Sequence, residues 1–237
     1  MYRTLLRQAI PDYRKRETCF HSRSHARKQI ARPRYHPCME AFSAFVLAGG
    51  KSSRMGAEKA FLELAGKPLI ERALTLAGTI TADVKIVGDR AQFASYGEVI
   101  EDVYHDCGPL AGIHAALKAT ASTSNLILGV DLPFLTPAFL EFLIAEARAS
   151  NPTVTVPYAG AKFHSLCAVY RKDFYAHAER ALSQGKNRID ALFREIPARA
   201  IREDELASRG FTAAIFRNLN TPTDFEQANR ELTRLDL

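Results

Sequence analysis

From residue 42 onward, short and very apolar runs alternate with helical patterns, and this alternation narrows the fold more than any other feature. Residues 42–48 form a continuous apolar run that ends in Gly49-Gly50. Residues 68–78 read as a helix with Pro68 in its first turn, where a missing N–H costs nothing. Val84–Val87 and Val99–Ile100 read as short buried strands, the second ending in Glu101-Asp102. Residues 110–119 read as a helix and 126–130 as an apolar strand ending at Asp131. Thr136-Pro137 then opens a helix that runs through residue 149. Strands without alternation are strands buried on both faces, and helices between them supply the cover. The pattern predicts an α/β fold: a Rossmann-like, doubly wound, mainly parallel sheet with helices on both faces.

The second half is more mixed. Residues 153–157 and 163–170 read as two strands joined by the turn Tyr158-Ala159-Gly160-Ala161. Helices are expected near 173–183 and 187–195, and a final strand over 213–219. Thr221 and Asp224 have the spacing of a capping box, with Pro222 at the first helical position. The last helix is expected to run to about residue 235. No internal repeat or low-complexity linker follows residue 40, so 41–237 reads as one domain.

The whole-chain charge of +6 is unevenly placed. Residues 1–40 hold ten Lys or Arg against three Asp or Glu, and the rest of the chain is close to neutral. A near-neutral folded part argues against a fold built around nucleic acid. Residues 1–40 show no sustained hydrophobic period, and the reading is a basic, disordered extension. It fits an Arg-rich targeting peptide, a weak polyanion-binding arm, or a misplaced translation start with Met39 as the true first residue. The last is favoured, because the folded pattern begins just after Met39. Cys19, Cys38, Cys107 and Cys167 show no Cys-x-x-Cys spacing, so neither a zinc ribbon nor a thioredoxin-like motif is present. They read as reduced thiols of a cytoplasmic protein. No run of about 18 apolar residues offers a membrane span.

The strongest chemical signal follows the first strand: Leu47-Ala48-Gly49-Gly50-Lys51-Ser52-Ser53-Arg54-Met55-Gly56-Ala57-Glu58-Lys59. Its glycines let the backbone turn sharply and approach a ligand. Consecutive N–H groups in such a loop form an anion nest, and Lys51, Arg54 and Lys59 add positive charge. Together they suit a polyphosphate. It is not a Walker A loop, which would need glycine where Phe45 stands, and the dinucleotide fingerprint Gly-x-Gly-x-x-Gly is absent. Asp131 ends a parallel strand, where open α/β sheets bind ligands. A carboxylate there can hold Mg²⁺, which binds through one or two carboxylates and phosphate oxygens.

This loop resembles the opening signature of molybdenum cofactor guanylyltransferases, a branch of a wider nucleotidyltransferase superfamily. The resemblance continues in Gly66-Lys67-Pro68-Leu69, Glu101-Asp102, Gly108-Pro109-Leu110-Ala111-Gly112, Asp131-Leu132-Pro133 and Asn218-Leu219-Asn220-Thr221-Pro222. It spans about residues 42–230 and implies the nucleotide-diphospho-sugar transferase type of fold. It also implies transfer of GMP from GTP to molybdopterin cofactor, with Mg²⁺ as cofactor and pyrophosphate as product. Leu47, Ala48 and Gly49 would place the nucleotide through backbone contacts, Asp102 would contact it, and Arg54 and Lys59 would neutralise triphosphate charge. Asp131 would be both nucleotide contact and metal ligand. His164, Ser165, Asn218 and Asn220 are the candidates for the acceptor side. A molybdenum enzyme or chaperone would be the partner that receives the product, with no membrane or nucleic-acid partner expected. Related chemistry with CTP or a sugar-phosphate acceptor, and a non-catalytic nucleotide-binding adaptor, remain the competing readings.

Overall fold

The computed structural model describes residues 42–49, 59–219 and 221–235, with side chains to residue 232. Along the described residues the chain runs β1 (Phe42–Leu47), the hairpin β2 (Glu63–Leu64) and β3 (Lys67–Pro68), α1 (Leu69–Gly78), β4 (Val84–Val87) and α2 (Arg90–Phe93). It continues through β5 (Val99–Ile100), α3 (Pro109–Ala119), β6 (Ser124–Gly129), α4 (Pro137–Ser150), β7 (Val154–Ala159), β8 (Lys162–Phe163) and β9 (Cys167–Arg171). It finishes with α5 (Phe174–Ser183), α6 (Ile189–Leu192), β10 (Ala198–Arg202), α7 (Glu203–Ser208), a 3-10 turn (Ala213–Phe216) and α8 (Pro222–Leu235).

The main sheet has the strand order β10-β7-β9-β6-β1-β4-β5, with β8 paired to β7. β1 is parallel to both β4 and β6, and β5 is parallel to β4. β9 runs antiparallel to β6 and β7, while β10 is parallel to β7. The expected mainly parallel, doubly wound sheet is therefore present, with one reversed strand inside it. From β1 the chain moves outward through β4 and β5, then returns to lay β6 on the other side of β1. That reversal opens a crevice at the carboxyl ends of β1 and β6.

Alternation along β1 divides the core between the two faces of the sheet. Ala44 and Val46 pack with Leu126 and Leu128 of β6, Ile70 of α1, and Phe139, Leu140 and Leu143 of α4. Phe45 and Leu47 face the other way, toward Ile127, Leu110 and Ile113 of α3, and Phe174 of α5. Both faces are buried, which is why these strands read as continuous apolar runs.

Four expectations change. The turn expected over residues 158–161 tightens to Gly160-Ala161, because β7 runs on through Ala159 and pairs with β8. The strand expected over 163–170 is broken: His164, Ser165 and Leu166 separate β8 from β9. The strand expected over 213–219 is a 3-10 turn followed by unpaired extended residues. Phe216 decides this, because its ring is buried against Phe139 at 5.2 Å and stacked on His164 at 4.1 Å. Local β propensity yields to that packing. The helix expected over 187–195 shrinks to Ile189–Leu192. The capping box at the last helix is as expected: Thr221 N–H donates to Asp224 at 2.9 Å and Asp224 N–H donates to Thr221 Oγ1 at 3.1 Å.

Candidate active site

The ends of β1, β4, β5 and β6 meet along one edge of the sheet. Leu47 and Ala48 are buried there and Gly49 is exposed. The N–H groups of Ala48 and Gly49 both donate to Val87 O, at 2.9 and 3.2 Å, and Val130 N–H donates to Leu47 O at 3.2 Å. A Cβ on Gly49 would lie 3.3 Å from Gly88 Cα, and one on Gly88 would lie 3.1 Å from the Phe93 ring. The two glycines thus let the ends of β1 and β4 close on each other. With both N–H groups turned to Val87, this floor offers a ligand close backbone approach rather than free amides.

Asp131 stands two residues beyond β6. Its Oδ2 accepts from Lys59 Nζ at 3.1 Å and from Asn218 Nδ2 at 3.2 Å. Its Oδ1 lies over Gly129, where a Cβ would come within 3.0 Å. Lys59 and Asp131 keep 13% and 20% of their side-chain exposure, so the pair is partly desolvated yet within reach of a ligand. A lysine 72 residues away in sequence and an amide 87 residues away converge on one oxygen. Asn218 is held in place by its neighbours. Phe216 and Leu219 are buried on either side. Arg217 donates to both carboxylate oxygens of Glu231 at 3.2 and 2.6 Å and sits 4.2 Å over the Phe134 ring.

Asp102 follows β5. Its Oδ1 is buried without a hydrogen-bond partner among the described residues. Burial pushes its carboxyl above the usual range, with the imidazoles of His105 and His114 pulling the other way. An orphaned acceptor of this kind is costly unless a ligand supplies a donor. The loop from Asp102 to α3 passes through left-handed conformations at Asp106 (φ 60°) and Gly108 (φ 66°). Gly112 of α3 lets the helix press on β1, since a Cβ there would meet Leu47 Cδ2 at 3.1 Å.

The acceptor-side candidates divide. Asn218 reaches Asp131. His164 is buried, its Nε2 3.2 Å from Ala159 O and its ring stacked on Phe216. Desolvation holds its pKa below the ordinary value. It braces the Asn218 segment through that stack. Ser165 is half-buried, and its carbonyl accepts from Tyr170 Oη at 2.9 Å. Leu166 O accepts from Gly129 N–H at 2.7 Å, which lays this break between β8 and β9 against the end of β6. Arg54, the loop over residues 50–58, Asn220 and the extension over residues 1–40 lie outside the described residues. Among the described residues no group of three or more His, Cys, Asp or Glu is arranged to hold a metal ion, which leaves single carboxylates such as Asp131. Cys107 and Cys167 are free thiols, and no described helix is long and apolar enough to cross a membrane.

Sequence reasoning passed over Glu179 and Tyr104. Glu179 of α5 meets His114 Nε2 of α3 and accepts from Tyr104 Oη at 2.7 Å. His114 is fully buried. No local signal marks either partner, because the contacts span 65 and 75 positions in sequence.

The chain is similar to known proteins in sequence and in fold. A curated molybdenum cofactor guanylyltransferase from Desulfosudis oleivorans is 31% identical over 193 residues, covering 80% of this chain and 95% of the relative. A protein named probable molybdenum cofactor guanylyltransferase from Carboxydothermus hydrogenoformans is 32% identical over 190 residues, again covering 80% and 95%. The crystal structure of molybdopterin-guanine dinucleotide biosynthesis protein A from Archaeoglobus fulgidus superposes with a TM-score of 0.71 at 28% identity, covering 81% of this chain and 99% of that one. The model of the MobA-like NTP transferase domain matches residues 44–201, from the first sheet strand to the edge strand β10. With the crevice between β1 and β6 and the carboxylate at its rim, the match is one of sequence and architecture together: the chain belongs to the family of MobA-like NTP transferase domains.

Proposed function

We propose that this protein transfers GMP from GTP to the terminal phosphate of molybdopterin cofactor and releases pyrophosphate. The observation that carries the reading is Asp131, held at the switch point by Lys59 and Asn218 beside a floor that lets a ligand approach the backbone. Relatives named for guanylyl transfer to this cofactor supply the base and the acceptor.

An acceptor phosphate oxygen attacks the α-phosphorus. The new P–O bond forms as the bond to the β-phosphate oxygen breaks, and pyrophosphate leaves with that electron pair. The attacking group is already anionic, so the site needs no strong general base. It needs orientation and charge neutralisation. Asp102 takes a hydrogen bond from the bound nucleoside through its buried Oδ1. Lys59 turns from Asp131 toward the triphosphate as negative charge builds on the leaving group, with Arg54 assisting. Asn218 keeps Asp131 oriented. The Oδ1 side of Asp131 fits a divalent cation, because Mg²⁺ needs only one or two protein carboxylates beside phosphate oxygens. When bound, Mg²⁺ would screen the attacking and leaving oxygens.

The test is pyrophosphate release by the purified protein with molybdopterin cofactor, comparing GTP, CTP, ATP and UTP with and without Mg²⁺. Release with GTP that stops on chelation and returns with Mg²⁺ is expected. Release with CTP alone would change the base while keeping the chemistry. Silence with all four nucleotides would overturn the reading.

A further inference from the structure

α3 is buried along most of its length, yet it carries His114 at 0% exposure. A buried imidazole needs a partner, because leaving its polar atoms bare costs free energy. The partner of Nε2 is Glu179, which arrives from α5 and meets it with Oε2, while Nδ1 has no partner among the described residues. The other oxygen of the same carboxylate accepts from Tyr104 Oη. Tyr175 stacks on the imidazole at 4.8 Å, and Tyr104 lies edge-on to it at 5.1 Å. One carboxylate therefore ties together α5, α3 and the loop that follows β5. Tyr104 is two residues beyond Asp102, and that loop contains two left-handed residues, Asp106 and Gly108. A non-glycine residue at positive φ needs its surroundings to hold it.

A buried His meeting a half-exposed Glu would alone be ordinary packing between helices. Tyr104 makes the difference. It lies on the loop and not in the helical layer, so its hydroxyl joins the pair to the segment that aims Asp102. We propose that Glu179, acting through Tyr104 and His114, is a positioning residue that sets the orientation of Asp102 and with it the affinity for the nucleotide. The proposal rests on the reading of Asp102 as a nucleotide contact.

The experiment is calorimetric titration of the full chain with GTP in Mg²⁺ buffer, with a thermal melt of each variant. Glu179→Ala is expected to weaken binding about tenfold, within the range of energies that couple residues sharing a network. Glu179→Gln is expected to stay within about threefold of the parent, because its amide oxygen can accept from His114 Nε2–H while its NH₂ donates to Tyr104 Oη, leaving Nδ1 as it is in the parent. In an Asp102→Ala background, Glu179→Ala is expected to add nothing, since the group it positions is gone. Unchanged affinity in a folded Glu179→Ala protein overturns the proposal. So does equal loss in the Gln and Ala variants, or an effect that adds in full to that of Asp102→Ala. Should Glu179→Ala fail to fold, Tyr104→Phe removes a single hydroxyl and decides the matter, with a loss of about threefold expected and parental affinity overturning it. If the parent protein binds no nucleotide, the Asp102 reading falls and this proposal with it. Parental binding with insensitive variants removes only the positioning role.

Discussion

At the scale of single residues, Asp131 Oδ2 is the point on which the candidate site converges. It accepts from a cation and an amide that come from opposite ends of the folded chain. Lys59→Ala removes a positive charge from a partly desolvated crevice, where such a charge is worth more than in water. Asp131→Ala removes the carboxylate itself. Each variant is expected to lose roughly 10²-fold or more in turnover, on the scale of other preorganised electrostatic groups. Pyrophosphate release checks this, and circular dichroism checks that the fold survives. Rates like those of the parent in either folded variant would remove that residue from the mechanism. Gly88 carries a different kind of constraint. A methyl there would press on the Phe93 ring at 3.1 Å and on Gly49 N at 3.3 Å. The ring can shift slightly, but the backbone of Gly49 cannot move without carrying the end of β1 with it. Gly88→Ala is expected to cost about 1–3 kcal/mol, the usual range for overpacking. A urea midpoint equal to the parent's would show that the edge has room to relax.

At the scale of elements, the strands that read most clearly are those buried on both faces. β4 and β5 appear at the residues expected, and β1 and β6 shift by one or two at their ends. β10 was not legible, and its composition explains why. In Ala198–Arg202 only Ile201 is buried, because this is an edge strand whose arginines face outward or sideways. What secures it is long-range charge. Arg199 donates to Glu146 of α4 at 3.0 Å and pairs with Glu205 of α7. Arg199, then the N–H of Arg202, hold the Glu205 carboxyl down to about 2, from an ordinary 4.5. The unfolded chain therefore takes up this proton at higher pH than the folded one. The contribution to stability is present above about pH 4.5 and is lost as pH falls toward 2. Partial exposure of the pair keeps that contribution modest. The Arg199→Met variant is expected to be less stable at neutral pH and to lose less between pH 6 and pH 3 than the parent. Urea midpoints across that range check it, and parallel losses in the two proteins would exclude the network as a source of acid sensitivity. The 3-10 turn at Ala213–Phe216 was hidden for a related reason: the Phe216 packing that sets it comes from Phe139 and His164, far away in sequence.

At the scale of the whole molecule, the switch point separates two kinds of work. On one side, β1, β4 and β5 bring the glycine-lined floor and Asp102 together. On the other, β6, the break between β8 and β9, and the arm around Asn218 surround Asp131. The first half was legible as motifs because short loops after parallel strands carry their function locally. In the second, Asp131-Leu132-Pro133 and Asn218-Leu219-Asn220-Thr221-Pro222 were legible as motifs, but the reach of Asn218 to Asp131 was not, since it depends on Phe216, Arg217 and Leu219, which anchor the arm to α4, α8 and the hairpin. This division predicts separable kinetics. Asp102→Ala should raise the KM for GTP and leave the acceptor KM unchanged. Asn218→Ala should raise the acceptor KM and lower kcat, while GTP binding measured without acceptor weakens less than in Asp102→Ala, because Lys59 still holds Asp131. Each loss is expected to be roughly ten- to a hundredfold, the worth of one hydrogen bond to a charged group. A full two-substrate matrix distinguishes the cases. If both variants raise the same KM, nucleotide and acceptor share one half of the crevice, and the assignment of sides has to be reversed or abandoned.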